Sequence, residues 1–483
     1  MTPNIKVDYK SSIRDSLKII EKNSYGICFV VKNNKVLGTV TDGDIRRALL
    51  KNVNLNKNVE SITNKNFSFV EENYDYLEIQ EKIKKFKIIP IISNKGLLLD
   101  FASSRRLGQI PQSEPSLQKN ELKYVVEAIN SGWVSSRGRF INEFEKSFAK
   151  KFKFKYCLLT SNGTTAIHLA LSTMNLKKDD EVIVPNFTFV SPINSIILAN
   201  AKPVLADVEY NTCCIDVNKI KKLINKKTKV IIAVHLYGHS ANIIELKKIC
   251  KKNNLKLIED CAEALGTYVK NKHVGNFGEF GTFSFFANKT ITTGEGGMLV
   301  LKNKKDYLNA KSLRDHGMST TKRYWHNKIG FNYRMTNVQA AIGLGQLENF
   351  DYFLKKKIHI FKFYKKNLNS NEYFDLSKDS LGVKNSYWLV YLKLKNFKKI
   401  EKIRNKLISY LKINGVDGRT GFFAASLMPI YTKYKSDKTT YEKSIILSKN
   451  MITLPSSVNL KNYEIVYICK LINNFFKKQN LIN

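Results

Sequence analysis

The sequence predicts an α/β protein: a mainly parallel sheet with helices on both faces and a small C-terminal α/β domain, preceded by a smaller α/β module. Three observations predict it. At 483 residues with 43% hydrophobic content, the chain exceeds what one core serves, so two or three domains are expected. Beyond residue 115, strand-like and helix-like apolar segments alternate, as they do when parallel strands are joined by helical crossovers. Within residues 1–102, a strand-rich pattern occurs twice.

The N-terminal module comes first. SYGICFVVKNNKVLGTVTDGDIRRALL, residues 24–50, reads as a strand, an Asn-Asn turn, a second strand, a TDGD turn and a helix with Asp44 in its first turn. KIIPIIS, from Lys87, and GLLLDFA repeat the strands without a TDGD equivalent. The motif GTVTDGDIRRAL resembles CBS domains, which pair such units and often hold adenine nucleotides between them. The resemblance implies a CBS pair over 1–102 with a degenerate second copy, and it places Thr41 and Asp44 where a ribose-contacting pair would lie. A structural or oligomerising role stands beside that of a nucleotide sensor. The polar stretch SSRRLGQIPQSEPS reads as a linker, assigned to 103–114.

Composition narrows the partners. The formal charge of +39 invites a nucleic-acid reading, because clustered Lys and Arg neutralise phosphates. The lysines are scattered, however, with no basic stripe interleaved with aromatics, so a solvated basic surface and no nucleic-acid partner are expected. Seven cysteines without a CxxC pair fit reduced thiols in a cytoplasm. MTPNIKVDYK lacks the apolar core of a signal peptide, and no apolar run approaches the roughly 20 residues that span a bilayer, so a cytoplasmic protein without a membrane partner is expected.

After the linker, KYCLLTS, EVIVPNFTF, KPVLADV, KVIIAVHLYG and LKLIED read as strands, and TTAIHLALSTM, SPINSIILANA and IIELKKICKKNN as helices. Sheets of this kind bind ligands beyond the carboxyl ends of their strands. Four such ends carry candidates. SNGTTAIHLAL offers Gly163 for close backbone approach and Thr164 at a helix start that suits a phosphate, although taken alone a plain glycine turn capping a helix is the preferred explanation. In NFTFVSP, Phe187 and Phe189 could face opposite ways, one covering a planar ring and the other packing inward, although taken alone core aromatics are the better reading. Asp260 in EDCAEALG is either a helix cap or the partner of a protonated ring nitrogen, with Glu263 on the same side of the ensuing turn. Finally, Lys289 lies between FSFFAN and the glycine-rich TTGEGGM; an amine in apolar surroundings loses its proton readily and can form a Schiff base with an aldehyde. The glycines would let backbone pass close to a cofactor. His235 and His239 are separated by a strand-end turn, so no metal site is expected there.

The order of these motifs resembles the fold-type-I pyridoxal-phosphate enzymes, and within them the sugar aminotransferases of the DegT/DnrJ/EryC1/StrS family. The likeness runs from residue 115 to the C-terminus through SGWVSSRGRFINEFE, SNGTTAIHLAL, DEVIVPNFTFV, EDCAEALG, NKTITTGEGGM, LRDHGMS and RYWHNKIGFNYRMTNVQAAIGLGQLE. It implies a large domain over 115–365 and a small one over 366–483. It implies pyridoxal 5'-phosphate as cofactor, with Lys289 as the Schiff-base lysine and Asp260 as the partner of the ring nitrogen. Glu263 would lie near the cofactor hydroxyl, Gly163, Thr164 and Ser284 on its phosphate, and Phe189 on its ring. Asn332, in GFNYRM, would reach the phosphate of a neighbouring subunit, which implies a homodimer or higher assembly with shared sites. Trp133, Ser135, Arg137, Tyr324 and His326 would face the sugar nucleotide.

The reaction so implied moves the amino group of L-glutamate to C4 of a 4-keto-6-deoxy sugar nucleotide, with GDP-4-keto-6-deoxymannose the favoured acceptor and a UDP-linked keto sugar the alternative. It would serve surface polysaccharide biosynthesis, such as lipopolysaccharide O-antigen. A related sugar dehydratase is disfavoured because that branch lacks the lysine. A retired, CBS-regulated fold is disfavoured by the complete cofactor set. RTGFFAASLMPIY, 419–431, departs from relatives that carry a proline and a histidine, so the acceptor pocket differs there.

Overall fold

A computed structural model describes residues 5–479 except 24, 73, 75, 87, 104–109, 320, 369, 378, 379 and 381. Part of the linker expected at 103–114 and the first residue of KIIPIIS therefore lie outside the described residues. The chain divides into two compact units. One comprises residues 1–110 with Ser409–Asp417 and Val466–Leu471; the other comprises the remainder.

In the first unit, β1 (Lys6–Asp8), β2 (Ile27–Lys32) and β3 (Lys35–Thr41) form one three-stranded sheet, and β4 (Val70–Glu71), β5 (Ile88–Ile92) and β6 (Leu98–Ser103) form another. Both have a parallel pair followed by an antiparallel one, so the second half repeats the topology of the first. Phe29, Val31 and Val36 pack with Ile88, Ile92, Leu98 and Phe101, and the halves are stitched where Leu98 N donates to Asn34 O at 2.9 Å. TDGD proves to be no separate turn. The helix Asp42–Leu50 begins within it, capped by Thr41, whose hydroxyl accepts from Asp44 N. That cap satisfies helix amides that would otherwise lack partners.

The second unit is built on a seven-stranded sheet. Its strands are β7 (Tyr156–Thr160), β8 (Glu181–Pro185), β9 (Lys202–Ala206), β10 (Thr228–Val234) and β11 (Lys256–Asp260), then, after the hairpin β12 (Tyr268–Val269) and β13 (Lys272–His273), β14 (Phe280–Ser284) and β15 (Gly297–Leu301). The order is β7-β15-β14-β11-β10-β8-β9, and only β15 runs against its neighbours. Near-continuous apolar strands such as EVIVP, buried throughout, suit a sheet covered on both faces. Phe140, Phe144, Phe148 and Phe152, four apart on the helix Arg139–Phe152, form a stripe that meets Phe283 and Phe285. Each fully buried phenylalanine contributes about 1.5–3 kcal/mol.

A four-stranded antiparallel sheet follows, with β16 (Phe374–Leu376), β18 (Val390–Leu394), β20 (Met451–Leu454) and β19 (Arg419–Thr420) in that order, while β17 (Val383–Lys384) joins β12. The long helix Phe350–Asn367 precedes it. The strands and helices expected from the alternation after residue 115 are all present.

Candidate active site

The carboxyl ends of β7, β8, β11 and β14 open into one cavity of about 470 Å³. It is lined by Gly163, Thr164, Phe189, Asp260, Glu263, Ser284 and Lys289, so one space collects residues far apart in the chain. Parallel topology explains the convergence: each crossover returns the chain so that strand ends of one polarity meet at one edge.

The helix Gly163–Ser172 leaves the end of β7, capped by Asn162, whose Oδ1 accepts from Thr165 N at 2.9 Å. The amides of Gly163 and Thr164, in its first turn, have no acceptor within the helix and suit an anion. Glycine is required at 163: a Cβ there would lie 2.9 Å from Ser284 Cβ. Beyond β8, Phe187 is fully buried whereas Phe189 is 57% exposed and lines the cavity, so one ring packs inward and the other is open to the site.

Asp260 ends β11 and is no helix cap; turns follow it, and its Oδ1 accepts from Ala262 N at 3.0 Å. Burial raises its carboxyl above the ordinary range, against the Ala262 amide and the Lys289 charge. Glu263 is pushed up to about 7 by burial, opposed by Lys289 and by the Tyr237 amide, which donates to Oε2 at 3.0 Å. Lys289 sits in the loop after β14, its Nζ 3.7 Å from Glu263 Oε1 and 4.0 Å from the centroid of the Trp388 ring. Burial lowers the amine, and Glu263 and Asp260 oppose that shift. Burial thus favours the neutral form of each of the three groups, while their mutual charges oppose it.

The glycines after Lys289 also permit close packing within the protein. A Cβ on Gly297 would lie 2.4 Å from Asn162 O, so the close approach is between β15 and the cap of the Gly163 helix. Of this stretch only Glu295 lines the cavity.

Asn332 is exposed and lies off the cavity, its Oδ1 accepting from Arg334 Nη2 at 3.1 Å. Trp133, Ser135, Arg137, Tyr324 and His326 also line no part of it and are exposed in the single chain. Asn337 ties their first group down, donating from Nδ2 to Trp133 O at 2.7 Å and from its amide to Ser135 O. Thr41 and Asp44 bond each other in the first unit, Thr41 Oγ1 donating to Asp44 Oδ2 at 2.6 Å. His235, Glu259 and Cys261 bring possible metal-ligand atoms within 4.8 Å of one another. Glu259 is already saturated by the amides of Gly275, Phe277 and Gly278 and by His235, whose Nδ1 accepts from Ala241 N.

The cavity also contains residues that the motifs did not single out for it. Trp388 comes from the segment before β18, with its indole donating to Asn288 O at 2.9 Å. Phe422 comes from the divergent RTGFFAASLMPIY stretch. Thr188 Oγ1 and Asn288 Oδ1 are buried there without a hydrogen-bond partner, which marks the cavity as built for a polar ligand. Pyridoxal phosphate matches this donor set: open helix amides for a phosphate, a free aromatic face for a ring, a buried carboxylate for a ring N–H, and an amine for an aldehyde.

A largely parallel sheet of this order, with these groups gathered at its strand ends, defines the chain as a pyridoxal-phosphate-dependent aminotransferase. It belongs to the DegT/DnrJ/EryC1/StrS aminotransferase family, whose profile matches residues 115–473, and a CBS-domain profile matches residues 1–51. The GDP-perosamine synthase of Vibrio cholerae is 44% identical over 76% of this chain and 99% of its own length. That of Escherichia coli O157:H7 is 41% identical over 76% and 98%. Among solved structures, Helicobacter pylori PseC, an aminotransferase of pseudoaminic acid biosynthesis, superposes with a TM-score of 0.73 at 27% identity, covering 77% of this chain and all of its own. The fold is shared with an E. coli GDP-4-keto-6-deoxy-D-mannose-3-dehydratase, at a TM-score of 0.71 and 24% identity over 75% of this chain and 98% of that one. No helix among the described residues is long and apolar enough to cross a membrane.

Proposed function

We propose that the chain transfers the amino group of L-glutamate to C4 of GDP-4-keto-6-deoxymannose, giving GDP-perosamine. The observation that carries this reading is the buried Lys289 amine beside Glu263 and Asp260, in a chain whose relatives at 44% and 41% identity are GDP-perosamine synthases. The bound cofactor supplies an aldehyde for amine exchange and an electron-withdrawing ring. Lys289 holds it covalently, and its amine, once released, moves the proton at the donor carbon as base and then acid. Asp260 keeps the ring nitrogen protonated, Phe189 covers the ring, and Glu263 lies by the ring hydroxyl. Gly163, Thr164 and Ser284 bind the phosphate.

Two copies share each site. The exposed Leu122, Val126 and Ile129, at helical spacing on Lys119–Asn130, leave an apolar stripe that a second copy would cover, bringing Asn332 to the neighbouring phosphate. In that dimer Trp133, Ser135, Arg137, Tyr324 and His326 face the sugar nucleotide. The domains are 1–102, 103–114, 115–365 and 366–483, supported for the last two by the seven-stranded sheet of the one and the four-stranded sheet of the other, with only the short β17 pairing across to β12. An adenine nucleotide binds at the Thr41–Asp44 corner; calorimetry with AMP and ATP tests it, and absence of heat assigns the CBS unit a structural role.

The deciding experiment is mass spectrometry of products from glutamate and a panel of GDP- and UDP-linked 4-keto-6-deoxy sugars. A 4-amino product from the GDP-mannose-derived ketone is expected. Amination confined to a UDP sugar overturns the substrate, and no amination of any overturns the reaction.

A further inference from the structure

Lys357 is 2% exposed and, among the described residues, makes no ion pair with a carboxylate. Its burial pulls the amine down to about 7. A buried ammonium is costly, and an apolar side chain of similar length would fill the space on the helix Phe350–Asn367. What Lys357 has instead is two backbone carbonyls. Its Nζ donates to Trp388 O at 3.1 Å and to Ser456 O at 2.6 Å.

Those carbonyls belong to a closed circuit around the peptide before Lys289. Ser456 N donates to Gln112 O at 2.7 Å, and the adjacent Ser113 Oγ donates to Asn288 O at 3.2 Å. From the other side, Trp388 Nε1 donates to the same Asn288 O at 2.9 Å, while its ring lies 4.0 Å beneath the Lys289 amine. Two segments distant in sequence thus grip one carbonyl; Trp388 is tied to Lys357 directly, and the Gln112–Ser113 segment is tied to it through Ser456. The backbone there is further fixed by Ser456 Oγ, which accepts from Val390 N at 2.9 Å, and by Tyr364, whose hydroxyl donates to Pro455 O at 3.0 Å.

We propose that Lys357, though outside the cavity, is a positioning residue for Lys289: it anchors Trp388 and the Gln112–Ser113 segment that together hold the Asn288–Lys289 peptide and the platform under the amine. An amine suits this pivot because, charged or neutral, it carries at least two N–H donors for the two carbonyls that converge from different segments, which an apolar side chain cannot supply. The inference rests on Lys289 being the reactive lysine, so one arm of its test is independent of that assignment.

The test replaces Lys357 by Met, which keeps the volume and removes every donor. Trp388 is the one buried tryptophan, 4% exposed against 56% for Trp133 and 54% for Trp325, so apoenzyme in a Trp133→Phe, Trp325→Phe background reports Trp388 alone. Lys357→Met is expected to red-shift that emission and raise its quenching by acrylamide. In the loaded enzyme with all tryptophans present, kcat should fall on the order of ten- to hundredfold, as small misplacements of reacting groups do. The KM for glutamate should stay within about twofold. Lys357→Gln, which retains N–H donors, should recover part of both signals. A folded Lys357→Met protein in which either the emission or kcat is unchanged overturns the proposal. Failure of both variants to fold makes Lys357 a folding residue and equally overturns it. Borohydride labelling away from Lys289 would sink the active-site assignment while leaving the apoenzyme fluorescence result standing.

Discussion

Gly163→Ala tests whether the open helix end holds a phosphate. The new Cβ would lie 2.9 Å from Ser284 Cβ and 3.4 Å from Ser284 Oγ, where ordinary contact begins at 3.4 Å. Rotation of the serine cannot relieve this, since its Cβ is fixed to β14, so the first turn of the helix must retreat by about half an ångström. Overpacking of this kind costs about 1–3 kcal/mol of stability. Misaligning even one amide bond to a charged group forfeits about 1.5–3 kcal/mol of binding, which corresponds to roughly ten- to 150-fold in affinity. The assay is titration of apoenzyme with pyridoxal phosphate and, separately, with pyridoxal, which lacks the phosphate. The variant should lose at least about tenfold for the first and stay within about twofold for the second. Unchanged affinity for pyridoxal phosphate, or an equal loss for both ligands, would refute the reasoning.

Three other predictions follow from the same geometry. Borohydride reduction should fix the cofactor on Lys289, and Lys289→Ala should retain it noncovalently with transamination lost; a labelled peptide from elsewhere contradicts this. Glu263 holds its proton in the folded state up to about pH 7, whereas unfolded chains release it near the ordinary 4.5. The folded state therefore binds the extra proton across that window, and apoenzyme stability should fall as pH rises through it, by on the order of 2–3 kcal/mol. Glu263→Gln should flatten that dependence in thermal melts between pH 4.5 and 7, and parallel curves would count against it. Glu259 stays charged: burial opposes ionisation, but His235 and the Gly275 and Gly278 amides outweigh it and hold the carboxyl low. Glu259→Leu should cost more than about 3 kcal/mol by orphaning buried donors, read as a loss of melting temperature of the apoenzyme, and a melt within a degree or two of the parent would show those donors find water instead.

Much of the site was legible because its chemistry is local to strand ends. Gly163, Phe189, Asp260, Glu263, Ser284 and Lys289 each end or follow a short apolar strand; which of Phe187 and Phe189 is open is set by packing, since Asn186, Phe187 and Thr188 are all buried and only Phe189 is exposed. Local reading left alternatives open that the packing narrows. Asp260 could have been a helix cap until its turn is seen, and in TTGEGGM the close approach at Gly297 is to Asn162 O. Trp388 carried no signal, since nothing in NSYWLV says that its indole reaches Asn288, 100 residues away. Lys357 was one lysine among many in an amphipathic helix.

The sequence by itself determined the strand–helix alternation, the placement of Lys289, Asp260 and Glu263 at or just beyond strand ends, and the family, because these depend on side-chain periodicity and on motifs that keep their order along the chain. Only the tertiary structure decided which lysines are buried and what each touches. Burial sets the proton affinity of Lys289, Glu263 and Lys357, and it is a property of the packed neighbours rather than of the residue.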